Sequence, residues 1–282
     1  MKEIRLLRPF LLLAASVIGF LAFFYPFVLP LLGVTSVPNG RSVEVPLLFA
    51  ALATCALLLL LLLFQEQTVQ RGQSRALALL AVLIAFDAAL RLLPSLLGAS
   101  PIFLLIIVTG YVFGSAYGFV MGAMTLALSA IITGGIGPWL PFQMLTAGWV
   151  GMTASWLPKW RGTAQRLALT LFGSVWGFLF GAIMNLWFWP FAAPGLSDTA
   201  GLYWHPGMSL SETLQTYWKF YLATSLVFDG TRALGNALLV FTLGPAIVNV
   251  MQRYRDRFIW QPWAAEEHQR TPQTDMPSEI VR

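Results

Sequence analysis

The sequence predicts an all-α integral membrane protein of about eight transmembrane helices, with a six-helix core preceded by two additional helices. Composition is the first reason. The chain is 57% hydrophobic and only 10% charged, with mean hydropathy +0.72, which excludes a water-soluble domain of this length. Pattern is the second, because the apolar runs are continuous rather than alternating, as spanning helices require and barrel strands do not. Charge placement is the third, and it emerges once the spans are laid out.

Runs of about 20 apolar residues mark the spans. They are Pro9–Leu32, Pro46–Phe64, Ala76–Leu93, Pro101–Thr133, Leu140–Leu157, Leu167–Trp189 and Phe220–Val250. As a single helix, 101–133 would be about 50 Å long, against a hydrocarbon core of about 30 Å. It is therefore expected to fold back at "GSAYG" (114–118), leaving a short first half and a total of eight spans. The first run follows a basic start, as a signal peptide does. It is too long for such a segment and lacks a clean small-residue cleavage site, so it reads as a retained span.

With the N-terminus inside, Lys2, Arg5, Arg8, Arg71, Arg75, Lys159, Arg161, Arg166, Arg253, Arg255 and Arg257 all face the cytoplasm. Only Arg41 and Lys219 fall outside, so both termini are expected to be cytoplasmic and the protein to lie in the plasma membrane. The same asymmetry explains the net charge of +5 without nucleic acid. The polar connector "QEQTVQRGQSR" (65–75) separates two N-terminal helices and linker (1–72) from the core (73–257). A polar tail (258–282) with the composition of a disordered segment follows.

Small residues at four-residue spacing let helix backbones approach closely in lipid. Three such stripes occur: Ala81, Ala85, Ala89; Gly110, Gly114, Gly118, Gly122; and Gly173, Gly177, Gly181. Internal packing is the default reading of each, and an alanine stripe equally suits a partner helix. Ionisable residues within spans are costly and mark function unless they merely neutralise one another. Asp87 with Arg91 are spaced i,i+4, and Asp229 with Arg232 are spaced i,i+3, so either pair could be self-neutralising helix glue.

Depth favours function instead. Asp87, Arg91, Gln143, Asn185, Asp229, Arg232 and Asn236 all fall toward the extracytoplasmic side, as a polar cavity open to that side requires. "GGIGPWLPFQMLTAGWVGM" (134–152) places a Gly- and Pro-rich outer loop beside them, followed by Trp139, Phe142 and Gln143. Trp139 and Trp187 are candidate cavity walls, although aromatic residues at this depth also form the interfacial belt. Outer Trp and Tyr residues are numerous enough to favour a large planar ligand, and loop 190–218 is long enough to act as a lid.

Catalytic motifs are missing. There is no Walker A sequence and no HExxH, and the single Cys55 forms no internal disulfide. His205 and His268 stand apart, so neither a metal site nor any other cofactor is expected. A multispanning enzyme for lipid or isoprenoid substrates would use Asp87 or Asp229 as base or metal ligand, but it needs clustered carboxylates that the chain lacks. A structural subunit of a membrane complex is the other alternative.

Three stretches resemble a known family: "ALLAVLIAFDAALR", "GYVFGSAYGFVMGAMTLALS" and "FDGTRALGNALLVFTLGPAIV". In order and spacing, residues 73–257 resemble the substrate-binding S component of energy-coupling factor (ECF) transporters, and 134–152 is similar to the corresponding part of the cobalamin-type group. The resemblance implies a transport subunit that is not an enzyme. It would bind a vitamin from outside, a corrinoid first and another water-soluble vitamin second, and work with a transmembrane coupling subunit and two cytoplasmic ATPases. It also implies that Ala81, Ala85 and Ala89 meet the coupling subunit. The two extra N-terminal spans depart from the family's six-helix form.

Overall fold

The computed structural model describes residues 2–28, 74–93, 99–191 and 201–257. The expected second span, 46–64, and the tail, 258–282, lie outside the described residues. The described chain is helical throughout its regular elements, with no strand: α1 (Lys2–Val28), α2 (Ser74–Leu90), α3 (Ile102–Phe113), α4 (Ser115–Thr133), α5 (Leu140–Ala154), α6 (Gly162–Phe188), a 3-10 turn (Trp189–Phe191), α7 (Leu210–Thr224) and α8 (Leu226–Arg257). The stretches Arg8–Val28, Ser115–Thr133, Gly162–Phe191 and Leu226–Asp256 are long and apolar enough to cross a membrane.

The double-length run does fold back, at a tighter corner than expected. Gly114 alone separates α3 from α4, at φ 98° and ψ 178°, a conformation that a Cβ would strain. Ser115 already begins the next helix, and Gly118 donates its N–H to the Gly114 carbonyl at 2.9 Å. With 12 residues, α3 is about 18 Å long and could not span a bilayer alone. It has no need to, because every residue from Ile102 to Val112 is buried and α2, α4, α5, α6 and α8 surround it.

Close backbone approach holds this centre together. An added Cβ on Gly118 would collide with the Gly151 carbonyl, and one on Gly151 would collide with that of Gly118. Gly110 meets Gly151, and Gly122 meets Ala147, in the same way. The second small-residue stripe is therefore internal packing, joined by glycines of α5. Because α3 and α4 both press on α5, the hairpin and the third helix form one unit.

α1 belongs to the same body. Its Phe23 packs edge-on against Phe142 of α5 with ring centroids 4.9 Å apart, and Trp149 Nε1 donates to Ser16 Oγ at 3.0 Å. Helix boundaries also differ from expectation at the last span. The stretch before the last span contains α7, and Phe220–Thr224 belong to it; the chain breaks at Ser225 before α8 begins. A capping box starts α7, with Glu212 Oε2 accepting from the Ser209 N–H at 2.7 Å and Ser209 Oγ accepting from the Glu212 N–H at 3.3 Å. Donation from the Ser209 backbone N–H, and secondly from its hydroxyl, holds the Glu212 carboxyl below its ordinary pKa. Leu210, Leu214, Trp218 and Leu222 form an exposed stripe along α7 while Thr216, Phe220 and Tyr221 are buried, the pattern of a helix lying along a membrane surface.

The packing predicts a sharp contrast between glycines. Gly118→Val should destabilise the protein by about 3 kcal/mol or more, since neither facing backbone can yield. Gly230→Ala meets only Phe178, at 3.8 Å, and should be nearly neutral. Thermal unfolding of the two variants in detergent checks this; similar transitions would show that the α4–α5 contact is not limiting.

Candidate ligand-binding cavity

At the end of the bundle where α2 finishes, five helices surround a cavity of about 230 Å³. Arg91 reaches it from just beyond α2, Phe103 from the start of α3 and Leu126 from α4. Gln143 comes from the first turn of α5, Phe180 from α6 and Arg232 from α8; Ser100 and Ile102 complete the wall. Phe103 and Phe180 meet edge to face with centroids 5.0 Å apart, and the Arg232 guanidinium lies 5.5 Å from the Phe180 ring centre. The result is a small aromatic-floored space with two guanidinium groups at its wall.

The charges are arranged differently from the sequence spacing. Asp87 and Arg91 do not form an ion pair among the described residues. α2 ends at Leu90, so Arg91 has left the helical register that i,i+4 pairing needs. Both residues turn instead to α4, where Thr125 donates to Asp87 Oδ2 at 3.1 Å and Arg91 donates to Ser129 Oγ at 3.1 Å. Asp87 is fully buried, and its Oδ1 has no hydrogen-bond partner.

The second pair does form. Arg232 donates to Asp229 Oδ1 and, at 3.3 Å, to the Gly177 carbonyl. The third small-residue stripe makes room for this arrangement. Gly177 abuts Ala233, and at Gly181 an added Cβ would occupy the space of the Asp229 carboxylate. Asp229 is thus pressed against the α6 backbone with its Oδ2 buried near the Tyr221 hydroxyl. Of the two cations at the cavity, Arg232 is neutralised and Arg91 is not.

Three of the predicted cavity residues, Arg91, Gln143 and Arg232, converge on this one space. The others lie elsewhere. Asn236 is buried between helices, donating to the Gly173 carbonyl at 3.0 Å. Asn185 donates to Ser225 Oγ at 2.7 Å, at the break between α7 and α8. Trp139 and Trp187 meet edge to face at 6.2 Å and belong to an aromatic cluster outside the cavity, continued through Phe142 and Phe188 toward Phe220, Trp189 and Tyr217. Trp189 Nε1 donates to the Leu202 carbonyl at 2.9 Å, which ties the outer segment to this cluster. The aromatics at this end hold helices and loop together.

Sequence reasoning missed Phe103 and Phe180, which are ordinary members of apolar runs. It also missed Thr125 and Ser129. Their i,i+4 spacing on α4 matches that of residues 87 and 91, a signal that was present in the sequence. Ala81, Ala85 and Ala89 lie exposed on α2, on the side away from buried Asp87 and beside exposed Val82 and Phe86.

Residues 75–244, which include every cavity residue, match the family described as the ECF transporter substrate-specific component. The chain belongs to this family. The subunit therefore acts in transport rather than catalysis: it binds a small-molecule substrate in the membrane and associates with a membrane coupling subunit and ATPases. Neither the comparison with curated proteins nor that with solved structures gave a match.

The buried pair predicts non-additive stability. Arg232→Ala leaves Asp229 buried and unpaired and should destabilise the subunit by about 3–5 kcal/mol. Adding Asp229→Asn should recover much of that loss. A double-mutant cycle from denaturant titrations in detergent measures the coupling, and additive losses would argue against a working ion pair.

Proposed function

We propose that this subunit captures a small water-soluble vitamin bearing a carboxylate or similar anionic group. Two guanidiniums facing one aromatic-floored cavity, with a carboxylate beside only one of them, carry this reading. The uncompensated charge of Arg91 calls for an anion. Its one recorded side-chain bond, to Ser129, orients the guanidinium without neutralising it. Gln143 adds a neutral amide that can donate or accept, and Phe103 and Phe180 offer ring surface to a flat body.

Volume supports the second of the two ligands that the resemblance implied. A corrin macrocycle occupies several times the space of a 230 Å³ cavity, whereas a molecule built on one ring or a short chain fits. The aromatic residues that argued for a large planar ligand are occupied with one another. The smaller vitamin is therefore the better-supported choice.

Coupling follows from α2. Its exposed Ala81, Ala85 and Ala89 stripe offers a close-packing face that no helix of the described chain covers, and we assign it to the coupling subunit. The cavity lies at the end opposite Lys159, Arg161, Arg253 and Arg255. By the bias of basic residues toward the cytoplasm, it opens outward, and capture precedes delivery to the ATPase side.

Titration of the purified subunit with a panel of vitamins tests the reading. An anionic vitamin should bind well below millimolar, and Arg91→Ala should weaken it by about 10- to 150-fold, matching about 1.5–3 kcal/mol for a lost charge-assisted hydrogen bond. The reading fails if no member of the panel binds, or if Arg91→Ala binds as the parent does. Separately, Ala85→Trp should abolish co-purification with the coupling subunit while leaving that titration unchanged. Equal loss of both would place the stripe inside the fold.

A further inference from the structure

The opposite end of the bundle contains a second hollow, of about 450 Å³, formed where the α5–α6 connection meets the C-terminal part of α8. It is unrelated to the cavity above and to the alanine stripe. Lys159, Arg161 and Arg255 line it, and the one carboxylate among them, Asp256, is held by Arg255 Nε and by its terminal nitrogen, each at 2.9 Å. Lys159 has only neutral partners: the Tyr111 and Ser155 carbonyls, and the Tyr111 ring, 3.9 Å from its Nζ. Burial and the nearby Arg255 together push the Lys159 amine below its ordinary pKa. The hollow therefore crowds like charges and leaves a surplus of cation.

Two further features point to what would relieve that surplus. α6, 27 residues long, begins here with no side-chain cap, so its first N–H groups and the positive end of its dipole are open to an anion. One turn in, Gln165 lines the hollow at 8% exposure, and its Nε2 is buried without a well-formed hydrogen bond. A buried amide whose side-chain contact is a loose one to the Tyr111 hydroxyl, beside cations and an uncapped helix start, describes a site for an oxyanion. The depth of the hollow identifies its source. On the same connection Trp156 and Trp160 are 68% and 53% exposed, and indoles at the surface of a membrane protein collect at headgroup level.

We propose that this hollow binds the phosphate of an anionic phospholipid headgroup in the adjacent leaflet. Lys159 and Arg161 supply charge, Gln165 and the start of α6 supply N–H donors, and Trp160 lies against the glycerol region. Zwitterionic lipids bind less well because their own ammonium meets the surplus cations. The site fixes the inner end of α6 to the lipid surface and does not depend on the identity of the transported ligand.

The test uses the full-length chain, delipidated in detergent and offered phosphatidylglycerol or phosphatidylcholine with the same acyl chains, with bound lipid counted by native mass spectrometry. Phosphatidylglycerol should be retained about ten-fold better. That preference should fall several-fold in Arg161→Gln, whose side chain is exposed and makes no hydrogen bond among the described residues, and further in Lys159→Gln. Arg253→Gln, exposed on α8 and outside the hollow, should retain it. Equal retention of the two lipids, or full retention by Arg161→Gln, overturns the site. A thermal shift from inorganic phosphate alone that equals the lipid's would show a free-phosphate site and overturn the lipid assignment.

Discussion

Everything at the two ends of this bundle depends on backbone contact at its centre. In lipid, apolar side chains gain nothing by leaving one hydrocarbon surface for another, so helices associate where small residues let their backbones touch. Here Gly110, Gly118 and Gly122 meet Gly151 and Ala147, while Gly177 meets Ala233. These contacts fix the spacing of α3, α4 and α5 and, separately, of α6 and α8. The cavity is lined by residues of both groups, Phe103, Leu126 and Gln143 from one and Phe180 and Arg232 from the other.

The second constraint is charge in a medium that cannot solvate it. Each buried ionisable group is held by a neighbouring helix rather than only by its own: Asp87 by Thr125, Arg91 by Ser129, Asp229 and Arg232 by each other and by the α6 backbone. Such links do more than reduce desolvation. They set the orientation of each guanidinium and leave one of them without a counter-charge, and the proposed capture of an anion rests on that imbalance. A fully neutralised wall would be stable and would have little to offer a charged ligand.

The two ends also divide the work. One is aromatic, with residue 202 tied to the ring cluster through Trp189 and α7 ending at Ser225. The other is cationic and polar, where Tyr111, Lys159 and Arg255 join α3, the α5–α6 connection and α8 through backbone carbonyls. Such asymmetry suits the proposed capture of ligand at one end and energising from the other. α1, which precedes the family match, braces α5 through Phe23, Gly19 and Ser16 and so connects to the cavity wall behind Gln143.

The sequence by itself determined the membrane-spanning helical class, the fold-back near residue 114, the concentration of polar residues at one end and the resemblance to ECF substrate-binding subunits. These features are legible because bilayer thickness and the penalty for buried charge act on composition along the chain, residue by residue. Arg91, Gln143 and Arg232 were readable for the same reason: a polar residue in hydrocarbon stands out without knowledge of its neighbours. Only the tertiary structure decided that Asp87 and Arg91 part company, that Asn185 and Asn236 serve the frame, that Trp139 and Trp187 pack on other rings, and that Phe103 and Phe180 line the cavity. Each of those outcomes depends on how far one helix is rotated against another. That rotation is set by glycine contacts between residues far apart in the chain, and no local pattern encodes it.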